Sequence, residues 1–172
     1  MRRIFFALAL FILPALLFSQ NNLENKNNRF EFNLGPEYHF PLKPFSTFYK
    51  YGLGISGNVE YKISKHFSVS FNPGYVAYYY NIRSVGLKGN TPYMTLLGGM
   101  KYYFPYKIFV DAQAGFGEKL LQGQKESAFT FSGGAGIYFL KKFTAEIKYL
   151  KIKAITSTPE NIVLRLGYSF GD

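Results

Sequence analysis

The chain has 172 residues, a formal charge of +10 and no cysteine. This length suits a single domain of ordinary size. The lack of cysteine excludes a disulfide scaffold, a lipidated cysteine anchor and thiolate metal sites.

The first twenty residues have the layout of a secretory signal peptide. Two arginines precede an apolar run, residues 4–18, that only Pro14 interrupts, and Ser19 supplies a small residue near a cleavage point. The apolar run is shorter than the roughly 20 residues that a membrane-spanning helix needs, which argues against a helical anchor. We therefore predict a signal peptide over residues 1–20, followed by a short polar leader over residues 21–28.

The charge of the exported chain predicts contact with lipid rather than with nucleic acid. Removing the two arginines of the signal peptide lowers the formal charge from +10 to +8, so the remaining chain is still basic. Outside the cytoplasm, the anionic phosphates that a basic surface attracts belong mainly to lipids. We therefore expect a membrane surface as a partner and no nucleic acid.

From residue 29 onwards, apolar and polar residues alternate with a period of two. In the run from Phe30 to Phe40, every second residue is apolar or proline, and polar residues such as Glu31 and His39 lie between them. This period indicates a strand with one apolar and one polar face. Seven further runs repeat the pattern, and no stretch after residue 28 has helical spacing. They cover residues 51–61, 67–79, 94–102, 108–116, 129–139, 143–149 and 162–170.

The connections between these eight runs alternate between short and long. The three short ones are residues 62–66, 105–107 and 140–142, and the four longer ones are residues 42–49, 81–92, 117–127 and 154–160. Outer-membrane barrels have short periplasmic turns and longer extracellular loops. The sequence therefore predicts an all-β fold, an eight-stranded antiparallel up-and-down transmembrane β-barrel over residues 29–172, with both ends of the barrel chain on the short-turn side.

The polar face of the strands is expected to fill the interior of this barrel. Eight strands leave room for side chains but not for an open channel. Four central charges, Glu60, Lys101, Glu146 and Arg165, are predicted to pair across the lumen, because pairing makes buried charge tolerable. Aromatic residues make up 20% of the chain, and those near the strand ends are expected to form belts at the two membrane interfaces.

The last predicted strand carries a resemblance to a known family. Leu164-Arg-Leu-Gly-Tyr-Ser-Phe170 resembles the terminal strand signal of outer-membrane β-barrel proteins, with Gly167, Tyr168 and Phe170 as its marked positions. Together with the eight runs, this signal makes the chain similar to the OmpA/OmpX-like eight-stranded barrels. The resemblance implies a bacterial outer-membrane location. It also implies outer-membrane lipid, lipopolysaccharide and the barrel-assembly machinery as partners.

Catalytic chemistry has little support in the sequence. Some eight-stranded barrels modify lipid A, and such chemistry needs a histidine beside a serine and an oriented carboxylate. Of the two histidines, His66 falls in a short turn, and His39 lies close in sequence to Glu37 and to Ser46. A lumen histidine held by Glu37 is the simpler interpretation. We predict that the protein is not an enzyme and uses no cofactor and no metal.

The lysines of the longer connections are candidates for contact with lipopolysaccharide phosphates, with ordinary solvation as the alternative. They are Lys43, Lys50, Lys88, Lys119 and Lys125. The predicted function is that of a non-enzymatic integral outer-membrane protein without a wide pore. Its role would be structural, or interaction with an unknown surface partner through the long loops. Two alternatives stay open: a soluble exported lipocalin-like barrel that binds an apolar ligand, and a lipid-A-modifying barrel enzyme.

Overall fold

A computed structural model describes residues 29–82, 87–121, 124–140, 142–153 and 158–170. The predicted signal peptide, residues 1–20, and the predicted leader, residues 21–28, lie outside these described residues.

Eight antiparallel strands form one closed barrel, in which each strand pairs with its neighbours in the chain and the first pairs with the last. The strands are β1 (Phe30–Pro41), β2 (Tyr49–Lys62), β3 (Phe67–Ile82), β4 (Leu87–Tyr103), β5 (Ile108–Leu121), β6 (Gln124–Phe139), β7 (Phe143–Lys153) and β8 (Glu160–Ser169). Short 3-10 helices cover Phe45–Thr47 and Pro105–Lys107. Closure leaves no unpaired sheet edge, and the predicted eight-stranded up-and-down barrel is confirmed. No helix among the described residues is long and apolar enough to cross a membrane.

Two of the predicted long loops are largely strand. β3 and β4 stay paired as far as Ile82 and Leu87, well inside the predicted loop of residues 81–92. β5 and β6 likewise stay paired through most of the predicted loop of residues 117–127. The sequence prediction failed there because glycine, asparagine and proline interrupt the apolar alternation. A backbone ladder does not require that alternation, since its hydrogen bonds join main-chain groups.

The two faces of the barrel are sharply different. In β1, Asn33, Glu37 and His39 are buried in the lumen, whereas Leu34 and Tyr38 are exposed on the outside. Every strand contributes exposed large apolar side chains to the outer surface, while the interior is rich in buried polar and charged side chains. A soluble lipocalin-like barrel has the reverse arrangement, with its apolar face around an internal ligand. The observed arrangement suits a hydrocarbon surrounding, in which apolar side chains face lipid.

Aromatic side chains pack together at both ends of the outer surface. At the end with the longer connections, Tyr51 stacks on Tyr79 with 5.1 Å between ring centroids. At the end with the short turns, Phe143 packs on Tyr168 at 5.2 Å. Aromatic rings with a polar atom suit the interface between water and hydrocarbon, so these contacts match the predicted belts.

Candidate functional site

Glu37 is the centre of an ion-pair network in the middle of the lumen, and its side chain is buried. Its Oε1 lies 2.9 Å from the Lys148 ammonium and accepts a hydrogen bond from the Ser56 hydroxyl at 2.7 Å. Its Oε2 lies 3.1 Å from Nε2 of His39. The pairing of β1 with β8 places Arg165 opposite Glu37, with Nε 3.9 Å from Oε1. A carboxylate with this many donors is satisfied despite its burial.

Arg165 links three strands through its guanidinium group. Its Nε donates to the Ser56 hydroxyl at 2.8 Å, and Nη2 donates to Oδ1 of Asn33 at 2.5 Å. Nη1 lies 3.9 Å from the Glu146 carboxylate, because β7 and β8 place these two residues opposite each other. The planar group thus tethers β8 to β1, β2 and β7 across the lumen.

A second cluster lies nearer the short-turn end. The Lys101 ammonium is 2.8 Å from Oε2 of Glu60. The Tyr103 hydroxyl donates to the other oxygen of Glu60. The Tyr138 hydroxyl lies 3.3 Å from the Tyr103 hydroxyl and donates to Glu31 at 3.3 Å. This chain of groups joins carboxylates on two different strands.

The structure places the four predicted lumen charges, Glu60, Lys101, Glu146 and Arg165, inside the barrel as two separate pairs. Among the described residues, Arg165 makes no ion pair with Glu60 and reaches Glu37 instead. Sequence reasoning put Glu37 on the polar face but outside the central four. The available signal was the closure of β1 on β8, which brings the midpoints of these two strands together.

The tyrosines on the polar face of the strands were also not identified from the sequence. Tyr103, Tyr138 and Tyr78 point into the lumen, where their hydroxyl groups contact Glu60, Glu31 and His39. Sequence reasoning assigned aromatic residues near the strand ends to the outer belts and placed none of these three tyrosines on either face. Counting by twos from an assigned lumen residue, such as Lys101, would have placed Tyr103 inside.

His39 is held on both ring nitrogens and is 1% exposed. Nε2 contacts Glu37, and Nδ1 lies 3.1 Å from the Tyr78 hydroxyl. Ser46 is exposed in the loop. In the part of the chain that the structure describes, no serine hydroxyl bonds to the imidazole of His39 or of His66. The same residues contain no group of three or more histidines and carboxylates that could hold a metal ion.

An aromatic cap, which we define as Phe45, Tyr78 and Tyr93, closes the lumen at the end with the longer connections. The 3-10 helix after β1 turns Phe45 inward, where its ring meets Tyr78 edge-on at 5.2 Å. Tyr78 meets Tyr93 edge-on at 5.5 Å. Below the cap, the cavity beside Glu37 and His39 measures about 20 Å³, room for about one water molecule.

The candidate lysines lie at the same end as this cap. Lys43, Lys50 and Lys88 are exposed, Lys119 is half-buried, and the side chain of Lys125 lies outside the described part. Two of them, Lys50 and Lys88, line a groove of about 460 Å³. We call this the rim groove, and its other lining residues are Tyr51, Tyr79, Tyr80, Gly89 and Asn90.

The residues of the predicted terminal strand signal have different environments. Gly167 faces inward, and a Cβ atom there would lie 2.6 Å from Nη1 of Arg165, so glycine leaves space for the guanidinium group. Tyr168 faces outward between Phe143 and Phe170, whose ring centroid is 5.0 Å away. Whether the assembly machinery reads these positions stays a prediction.

Comparison with known proteins supports the architecture. No protein-family model matches the sequence, and no curated protein is significantly similar to it in sequence. Solved structures are similar in fold. Ail, the attachment invasion locus protein of Yersinia pestis, has a TM-score of 0.60 at 14% identity, over 82% of this chain and 97% of Ail.

Two further solved structures have the same architecture. Neisserial surface protein A has a TM-score of 0.54 at 10% identity, over 83% of this chain and 98% of that protein. The N-terminal β-barrel domain of Pseudomonas aeruginosa OprF has a TM-score of 0.53 at 13% identity, over 81% and 97%. The chain therefore has the fold of the small eight-stranded outer-membrane β-barrels of the OmpA/OmpX type.

Proposed function

We propose that the protein is a non-enzymatic, integral outer-membrane protein whose barrel is plugged and whose outer rim mediates interaction at the cell surface. The observation that carries this proposal is the distribution of side chains between the two faces of the barrel, which is the reverse of that in a soluble barrel. Its outside is apolar on every strand, and its inside is filled by paired charges. Lipid demands a sheet without open edges and an apolar exterior, and this barrel has both.

Transport through a wide pore is not part of the proposed function. The central ion pairs and the aromatic cap fill the lumen, and the cavity beside Glu37 has room for about one water molecule. Eight-stranded barrels are generally filled by their own side chains. In planar lipid bilayers we expect no conductance steps of porin size, with a wide porin in the same bilayers as the positive control. Steps of porin size would contradict the proposal.

The lack of catalysis is supported by the environment of His39. Both ring nitrogens are engaged, one by Glu37 and one by Tyr78, so neither is free to take a proton from a serine. Expression of the protein in a Gram-negative host should therefore leave the acylation of lipid A unchanged. A changed acylation pattern that disappears in His39→Ala would establish an enzyme instead.

A surface role is supported by position and by precedent. The exposed lysines of the candidate set lie at the end with the longer connections, which in outer-membrane barrels faces outwards. Ail was solved in complex with the heparin analogue sucrose octasulfate, so a barrel of this fold binds an anionic saccharide. Export through a signal peptide over residues 1–20 and delivery by the barrel-assembly machinery belong to the same proposal.

A further inference from the structure

We propose that the rim groove binds the phosphorylated sugar head group of an outer-leaflet lipid. This inference deepens the proposed function and rests on it, because it requires the barrel to sit in the outer membrane. The groove lies at the junction of β2, β3 and β4, at the end with the longer connections. Its volume of about 460 Å³ falls within the range of ligand pockets, roughly 300–1,000 Å³.

The backbone at the groove departs from a regular ladder in a way that exposes Lys50. Tyr49 pairs with Tyr80 and Tyr51 pairs with Tyr79, so one residue of β2 has no partner across the strand pair. Such a bulge redirects a side chain and is common at barrel rims. Here it leaves Lys50 exposed beside the two tyrosines that line the groove.

One wall of the groove is shaped by a glycine. A Cβ atom on Gly89 would lie 2.4 Å from the Tyr80 hydroxyl, so only glycine lets this ring lie close to β4. Tyr80 is also held edge-on against Tyr49, with 5.9 Å between centroids. The Tyr80 ring therefore packs between Tyr49 and Gly89 and forms one wall of the groove.

The charge of the groove selects an anion. Lys50 and Lys88 are both exposed, and no carboxylate among the described residues forms an ion pair with either ammonium group. Two ammonium groups at one groove, neither in an ion pair with a described residue, suit a phosphate, which lysine binds as a point charge. The Asn90 amide adds a neutral donor for sugar hydroxyl groups.

The position of the groove favours a lipid over a soluble anion as its ligand. Tyr51 lies between Tyr38, at 6.0 Å, and Tyr79, at 5.1 Å, so the lining tyrosines continue a stacked row on the outer surface. Exposed apolar residues such as Leu53 and Ile55 follow along β2. A ligand with its head group in the groove would thus lay its acyl chains on an apolar wall, as a glycolipid does and a soluble saccharide does not.

The test compares two pairs of lysine substitutions that remove equal charge. K50Q/K88Q removes both lysine ammonium groups from the rim groove. K151Q/K153Q serves as the control, because Lys151 and Lys153 lie on β7 at the same end of the barrel but outside the groove. The mature chain is refolded in zwitterionic detergent, and binding of bis-phosphorylated lipid A is measured by isothermal titration calorimetry. Each variant is first checked for a boiling-dependent gel shift.

We expect K50Q/K88Q to weaken binding of lipid A at least tenfold, because one lysine near an anionic lipid surface contributes about fivefold. The control pair should change affinity by less than about threefold. Dephosphorylated lipid A should bind the unmodified protein as weakly as bis-phosphorylated lipid A binds K50Q/K88Q. Tyr79→Ala should also weaken binding, since it removes one wall of the groove.

Three results would overturn the proposal. Equal losses in both lysine pairs would show that diffuse charge attracts the lipid. Equal binding of dephosphorylated and bis-phosphorylated lipid A would show that the groove does not recognise the phosphate. Tighter binding of soluble sucrose octasulfate, lost in K50Q/K88Q, would assign the groove to soluble sulfated saccharides. In each case an intact gel shift would leave the proposed membrane barrel standing, so the two claims fail separately.

Discussion

The lumen is filled in two different ways, and the difference shows what each end of the barrel depends on. In the middle, Glu37 of β1 forms ion pairs with Lys148 of β7 and Arg165 of β8. At the end with the longer connections, the aromatic cap of Phe45, Tyr78 and Tyr93 packs ring against ring. The register of the strands sets the first region. The second requires a connecting segment to fold inward.

The two regions should fail differently when one member is removed. A buried ion pair that loses one partner leaves a charge without compensation, and this costs about 3–5 kcal/mol. An apolar contact that loses a ring leaves a cavity, whose cost depends on how far the neighbours can relax. Substitutions with matched controls in each region therefore test whether the ion pairs and the aromatic cap contribute differently to stability.

The largest effect is expected at the centre of the ion-pair network. Glu37→Gln keeps the shape of the side chain but leaves Lys148 and Arg165 with an uncompensated positive charge. We expect the free energy of unfolding, measured by urea titration in lipid vesicles, to fall by about 4 kcal/mol. Glu160→Gln is the control, because its ion pair with Lys151 is partly exposed and screened by solvent, so its loss should cost much less than the loss at Glu37. Equal costs would contradict a central role for Glu37.

The cap should show a smaller loss. Phe45→Ala removes a buried ring from between Tyr49 and Tyr78 and should lower the free energy of unfolding by about 3 kcal/mol. Phe48→Ala, in the same connection, removes a ring that is 59% exposed and should have little effect. A cost for Phe48→Ala that matches the cost for Phe45→Ala would show that the cap is not packed as described.

The smallest of the three effects is expected where a glycine makes room for a charge. Gly167→Ala would place a methyl group against Arg165 and Asn33, and we expect a loss of about 2 kcal/mol. Gly98→Ala is the control, because no atom lies within 4 Å of the added group. The control should leave the free energy of unfolding unchanged, and the same urea titration measures both variants. A neutral Gly167→Ala would mean that Arg165 does not need the space.

The strand pattern was predictable from the sequence, because alternation reports directly on the two faces of a strand. It fails at residues 81–92, where turn-forming residues lie within paired strands. The pairing partners within the lumen were harder to predict from the sequence. Arg165 meets Glu37 only because β8 closes on β1, and their register depends on the whole barrel rather than on any local pattern.

The aromatic cap and the rim groove could not be predicted from the sequence either, because neither follows from the period-two pattern. Phe45 lies in a connection that has no alternation, so nothing in the sequence shows that its ring turns into the lumen. The groove depends on a bulge at Lys50, which a period-two pattern cannot reveal. The lysines themselves were identified from composition and loop position, and the structure shows that two of them line the same groove.

The most direct test of the membrane barrel is gel mobility of residues 21–172, refolded in detergent, with and without boiling. A closed barrel with every strand paired should resist the detergent and migrate faster before boiling than after it, with β-type circular dichroism before heating. An identical mobility in both samples, together with solubility of the chain in buffer without detergent, would contradict the account.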